Sequence, residues 1–295
     1  MMKKRRRMRT GSRLTLAAAV SMLVLTVLSA VILLPLILTF LYSFFPRGEI
    51  EGWLAQRGSY DAAKWMDVML SPAEFSLRQY YTILVEDPTY LRYFCNSAMY
   101  AGAILLGQAV IIPLTAYALS RFQFRGRDVI FFVVLILMIL PFQVTMAPSV
   151  MVLRELGLMN TVWAVILPMC FSPFYIFLQR QFMVSIPNEL LEAGMVDGAG
   201  PVRGFIHVIL PVCRPFLGAA AALSFADCWN MVEQPMVYLA AMPNLQPLST
   251  MFNQISTDGA EVAFAGSALY ILPTLLIYLY FQEDIVAGIQ LSELK

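Results

Sequence analysis

Long apolar runs separated by short polar stretches set the pattern of this chain. The first, Leu14 to Phe45, contains no charged residue, and about 20 apolar residues suffice to carry a helix across a ~30 Å hydrocarbon core. Comparable runs cover 93–120, 129–153, 161–179, 212–239 and 262–282. The pattern predicts an all-α polytopic membrane protein with six transmembrane helices. No internal repeat or low-complexity tract interrupts it, so residues 14–295 read as a single transmembrane domain behind a basic segment, 1–13.

The placement of Lys and Arg gives the orientation. Lys3, Lys4, Arg5, Arg6, Arg7, Arg9 and Arg13 precede the first run, and the positive-inside rule puts such a cluster in the cytoplasm. With six spans, fourteen of the 20 Lys and Arg residues fall inside and six outside. Both termini are then cytoplasmic, and so is the loop between spans four and five. The basic start does not make a cleaved signal peptide, because a signal's apolar region is about 7–15 residues and this one is about twice that.

Between the first two spans, 46–90 forms the sizeable outer loop. Ser71-Pro-Ala-Glu74 reads there as a capping box at a helix start, while Trp53, Trp65, Tyr80 and Tyr81 suit either the headgroup level or a protein-docking surface. The loop at 185–211 has a different grammar. Pro187 suits a first helical position and Glu189 the positive end of a helix. Gly198 and Gly200 stop it, since glycine takes the left-handed conformation that closes helices. The stretch predicts a helix of about three turns, roughly 15 Å long, held at a membrane face by flanking spans and well placed to transmit force from a soluble partner.

Composition narrows the function by exclusion. The chain is 59% hydrophobic and 13% charged, with a net charge of +1; nothing in it points to nucleic acid, and membrane lipid is its surroundings. One histidine, His207, leaves no zinc motif and no serine–histidine pair within the membrane. Past residue 4 the lysines are Lys64 and Lys295, neither preceded by glycine, so a phosphate-cradling loop is impossible here. Any ATPase must be another polypeptide. Cys95, Cys170, Cys213 and Cys228 lack CxxC spacing and read as small buried hydrophobes. No metal, cofactor or catalytic residue is expected.

Ionisable groups within spans are costly and point to function. Asp227 lies 13 residues beyond Arg214, ~20 Å along a helix, and Trp229, Asn230 and Glu233 follow it. Pro235 is expected to break the fifth span at that depth. A polar cavity touching solute and a packing contact with a partner subunit both fit this cluster. Asn96, Ser97 and Tyr100 in span two, with Gln143 and Thr145 after Pro141 in span three, are further polar candidates or interhelical glue. Asp227 also admits a second function, an ion-coupled secondary transporter with this carboxylate as its coupling group. Against that stands the lack of an inverted repeat and of paired broken helices.

The Glu192-Ala193-Gly194 … Asp197-Gly198-Ala199 pattern, closed by Ile209-Leu210-Pro211, resembles the EAA loop of ABC importer permeases. More narrowly the chain is similar to six-span carbohydrate-uptake permeases of the maltose-transporter type. Tyr93-Phe-Cys-Asn96-Ser97, Arg121-Phe-Gln-Phe-Arg125-Gly126-Arg127, Leu140-Pro141-Phe-Gln143, Gly157-Leu-Met-Asn160-Thr161, Arg180-Gln181-Phe182, Trp229-Asn230 and Ile285-Val-Ala-Gly288 extend the resemblance over most of the chain. Gly194 stands where the family's second alanine is usual, and the tail Gln290-Leu-Ser-Glu-Leu-Lys295 departs from the family's glycine-rich ending.

The resemblance implies a non-enzymatic subunit of the plasma (inner) membrane. It would work with a second permease subunit, two ATP-binding subunits that carry ATP and Mg, and an extracellular solute-binding protein docked on 46–90 and other outer loops. Residues 187–198 would be the coupling helix, with Glu192, Ala193, Gly194, Asp197, Gly198 and Ala199 at the ATPase contact. Asn96, Gln143, Asp227, Trp229 and Asn230 would be candidates for the solute pathway, and a sugar or oligosaccharide the solute.

Overall fold

The computed structural model describes residues 16–55, 69–196, 198–252 and 259–293. The basic segment 1–13, Trp65, Asp197 and Lys295 lie outside the described residues. Among those described, all regular structure is helical. The chain runs through α1 (Leu16–Tyr42), α2 (Arg47–Ala55), α3 (Arg78–Tyr81) and α4 (Pro88–Arg121). There follow α5 (Arg127–Ile139), α6 (Phe142–Glu155), α7 (Val162–Cys170), α8 (Pro173–Ser185), α9 (Glu189–Val196), α10 (Pro201–Gly204) and α11 (Leu210–Val212). The last elements are α12 (Arg214–Trp229), α13 (Glu233–Tyr238), α14 (Leu248–Phe252) and α15 (Ala260–Glu293).

Four helical stretches are long and apolar enough to cross a membrane: Ala18–Tyr42, Pro88–Arg121, Val162–Ser185 and Ala260–Val286. Two bent pairs raise the number to as many as six if each pair is one span. Arg127–Ile139 meets Phe142–Glu155 at 111°, and Pro201–Val212 meets Arg214–Trp229 at 74°. The first bend follows from Pro141. A proline forces the residue before it out of the α region, and Leu140 is extended, with φ −67° and ψ 122°. In the second pair Pro211 has no N–H for the carbonyl four residues back. The turn before it widens into a π helix, Phe205–Ile209, in which Leu210 N–H donates to the Phe205 carbonyl.

The core forms where α4 packs against α7, α8 and α12. Tyr100, Ile104, Val165, Cys228, Trp229 and Leu239 are buried there. Asp87 starts α4 by accepting from Thr89 N–H at 2.9 Å, with Pro88 in the first turn. At Gly107 a Cβ would overlap the Cys170 side chain, so α4 and the end of α7 approach as closely as backbones allow. The far end of α4, with Ala116 and Tyr117, joins Met183, Leu191, Phe205 and Ile209 in a second apolar cluster beneath α9.

Several expectations change in detail. Ser71-Pro-Ala-Glu74 does not cap a helix. Helix begins at Arg78; Leu77 ahead of it has no polar atom to cap with, and Ser76 Oγ instead accepts from Arg78 N–H and donates to Gln79 Oε1. Trp53 is buried with Tyr42, Phe45 and Ile50 rather than resting among headgroups. The fifth span ends at Trp229, six residues before Pro235, which instead sits in the first turn of α13, where its missing N–H costs nothing.

Candidate functional site

The 185–211 loop folds into two short helices packed against the foot of α4. Helix α9 begins at Glu189, two residues after Pro187, and the Asn188 carbonyl accepts from Leu191 and Glu192 N–H at 2.9 and 3.0 Å. It has eight residues and is therefore ~12 Å long, shorter than the sequence suggested. Gly198 closes it with φ +82°. Ala199 N–H bonds to the Gly194 carbonyl at 2.9 Å and Gly198 N–H to the Met195 carbonyl at 3.0 Å, the paired bonds of a Schellman cap. Gly200 plays another part: at φ −68° it precedes Pro201 as the N-cap of α10.

Arg121, the last residue of α4, ties this unit down. Its guanidinium donates to the carbonyls of Met183 at 2.5 Å and Ile186 at 2.7 Å, and to Asn188 Oδ1. One cation thereby caps the end of α8 and fixes the start of α9, as charges of this sign do at helix C-termini. Tyr117, one turn earlier, donates to the Pro201 carbonyl at 3.2 Å and packs on Phe205, ring centroids 4.9 Å apart. A cavity of about 470 Å³ opens between α4 and the two short helices, lined by Tyr117, Arg121, Asn188, Leu191, Glu192 and Gly204.

The motif residues divide between two faces. Leu191 is buried in the cluster beneath α9. Gly194 faces the next helix, where an added Cβ would meet Val208 at 3.5 Å and Ala199 at 3.9 Å, ordinary contact distances. Glu192 and Ala193 are exposed, as are Leu190, Met195 and Val196, the last 87% exposed. The free surface of α9 is thus largely apolar, whereas the sequence directed attention to its acids.

The candidates within the spans separate more sharply. Trp229 is 1% exposed and donates through Nε1 to the Tyr270 carbonyl at 3.1 Å, with Phe225 stacked on it. Asn96 donates to the carbonyls of Asn244 and Gln246, both at 2.9 Å. These two side chains hold structure together. Asp227, Asn230 and Glu233 are exposed while Cys228, Trp229 and Met231 are buried. Tyr175 Oη donates to Asp227 Oδ2 at 2.7 Å, and Gln143 Nε2 donates to Glu233 at 2.9 Å. Asn230 accepts from Tyr270 Oη at 2.8 Å. Tyr175 and Arg121 had drawn no notice as site residues. A signal for Arg121 was present, a lone cation ending a long apolar run, but its acceptors lie more than sixty residues away.

Comparison with known proteins agrees with this architecture. The family model described as "Binding-protein-dependent transport system inner membrane component" matches residues 109–284. Arabinooligosaccharides transport system permease protein AraQ of Halalkalibacterium halodurans is 29% identical, over 88% of this chain and 90% of its own length. The sn-glycerol-3-phosphate transport system permease protein UgpE of Yersinia pestis bv. Antiqua is 31% identical, over 67% of this chain and 72% of its own. A solved bacterial ABC transporter involved in import of the acidic polysaccharide alginate superposes with a TM-score of 0.75, covering 90% of this chain and 95% of the other at 21% identity. The helical spans, the bent pairs and these relatives converge on a multi-pass inner-membrane component of transport, not an enzyme. The chain belongs to the binding-protein-dependent transport system inner membrane component family.

Proposed function

We propose that this chain is one permease subunit of an ATP-driven ABC importer for a sugar or oligosaccharide, forming half of the translocation pore. A second permease subunit completes the pore, two ATP-binding subunits supply hydrolysis with ATP and Mg, and an extracellular solute-binding protein delivers solute. In this reading both termini and the 185–211 loop are cytoplasmic, α9 is the coupling helix, and 46–90 belongs to the docking side. The observation that carries the assignment is the construction of α9, a helix capped by Gly198, anchored by Arg121 and presenting Leu190, Met195 and Val196 outward. An exposed apolar surface of this kind marks a protein-binding site. Closure of the ATP-binding pair would push on α9, and the Arg121 contacts would pass the displacement to α4 and α8.

Asp227 and Glu233, with Gln143, Tyr175 and Asn230, form the candidate solute-facing surface. Their carboxylates accept hydrogen bonds well, as hydroxyl-rich solutes require. The sugar assignment is supported by the arabinooligosaccharide permease and by the alginate importer, which was also solved in complex with a pentasaccharide-bound periplasmic protein. Uptake into proteoliposomes containing the complete complex tests the whole reading. Uptake should require ATP and ignore an imposed ion gradient, and Gly198→Pro or Glu192→Lys should abolish it while leaving the protein in the membrane. Gradient-driven uptake without ATP, lost in Asp227→Asn, would instead establish an ion-coupled carrier.

A further inference from the structure

We propose that residues 75–85 are an interfacial segment resting in the lipid–water boundary where α1 leaves the membrane, with Leu77, Tyr81 and Val85 in contact with lipid. Side chains from Leu77 onward fall into four rows in steps of four, with half-buried Tyr80 and Leu84, 41% exposed, between the buried row and the apolar one. Gln79 and Ile83 are buried against the protein. Arg78, Thr82 and Glu86 form a polar face on which Thr82 Oγ1 donates to Glu86 Oε2 at 2.8 Å. Leu77, Tyr81 and Val85 stand 59%, 56% and 61% exposed. A segment with one face toward protein, one polar and one apolar is suited to lying in the plane of a membrane surface.

Its height is set by α1. Gln79 Nε2 donates to the carbonyls of Ser43 and Phe45 at 2.9 and 2.8 Å. Tyr80 Oη donates to Ser43 Oγ at 2.6 Å, and Ser76 N–H to the Phe44 carbonyl at 3.0 Å. These anchors begin one residue past the end of α1, so the segment is pinned at the level where an apolar span stops. The apolar surface is also continuous. Among the described residues, none in the most apolar stretch of α1 is buried. From it an aromatic run passes through Phe40, Phe44 and Phe75, with centroid separations of 5.3 and 4.6 Å. Tyr81, exposed beside this run, carries the kind of amphipathic ring that concentrates at the headgroup level. Lipid is the occupant that meets an apolar surface continuous with a membrane span while leaving the Arg78–Glu86 face to water.

Spin labels at single cysteines in a Cys95→Ser background, in the assembled transporter in phospholipid nanodiscs, test this. Collisions with oxygen should exceed those with a water-soluble nickel chelate at 77, 81 and 85, and the order should reverse at 78 and 86. Nickel-dominated collisions at 77, 81 and 85 would overturn the proposal in favour of water. Low collision rates with both reagents would overturn it in favour of a covering protein. The unmodified complex gives an independent reading: a photoactivatable phospholipid should label peptides within 75–85 as well as α1. Labelling confined to α1 would contradict the proposal.

Discussion

The two ends of α4 hold their loops in contrasting ways. Near its start, Asn96 and Tyr100 donate to backbone carbonyls of 244–246, Arg92 donates to Asn244 Oδ1, and Ser97 Oγ accepts from Leu248 N–H. Load there is spread over four side chains. At its other end Arg121 gathers Met183, Ile186 and Asn188 through one guanidinium, beside longer contacts from Tyr117 Oη to the Pro201 carbonyl at 3.2 Å, Arg180 Nε to the Leu119 carbonyl at 3.4 Å and Ser120 Oγ to Met183 Sδ at 3.9 Å. Redundant bonds, three of the four side chains neutral, fix a loop in place, and losing one leaves the rest. A single cation gathering the end of α8 and the start of α9 concentrates the polar tie between these elements in one side chain.

Breaking that tie should have the largest effect. Arg121→Ala removes three charge-assisted bonds and strands two carbonyls, a loss of at least about 2 kcal/mol. ATP-driven uptake is expected to fall more than tenfold, with ATP hydrolysis continuing, when the two are measured together. Arg121→Lys should not restore it, because one ammonium cannot reproduce the planar fork. Next comes the hinge. Gly198→Ala must adopt a left-handed conformation costing roughly 1–2 kcal/mol, and a several-fold drop in uptake with normal membrane content is expected. On the redundant side, Asn96→Ala should lower thermal stability in detergent by about 1 kcal/mol and uptake by less than half. A drop as large as that of Arg121→Ala would erase the contrast between the two ends. The smallest effect sharpens the picture from the opposite direction. Gly194 has room for a methyl group and alanine favours helix by about 1 kcal/mol, so Gly194→Ala should keep uptake and raise stability slightly.

What the sequence disclosed follows from how local each signal is. The spans were legible because an apolar run of twenty residues needs no tertiary information, and the Gly198 cap because left-handed closure is written in one residue. The break after Trp229 was misplaced at Pro235. The helix stops earlier, where Trp229 turns into the core and Tyr270 Oη donates to its carbonyl, a contact with a residue 41 positions on. Helix α2 went unread since its apolar pair, Ile50 and Trp53, gains meaning only against Tyr42 and Phe45. The candidate site follows the same rule of locality. Glu192, Gly194 and Gly198 announced themselves as a pattern, whereas Arg121 and Tyr175 acquire roles from acceptors 62 and 52 residues away. Asn96 and Trp229, chosen as polar groups within spans, turned out to serve packing because their partners are backbone carbonyls of neighbouring segments.

The central claim, that α9 is the lever gripped by an ATP-hydrolysing subunit, is tested most directly by a photo-crosslinking amino acid at Val196 in the assembled complex. The account predicts a covalent adduct with the ATP-binding subunit whose yield changes between ATP-bound and nucleotide-free states. An adduct with lipid or with the solute-binding protein instead would contradict it.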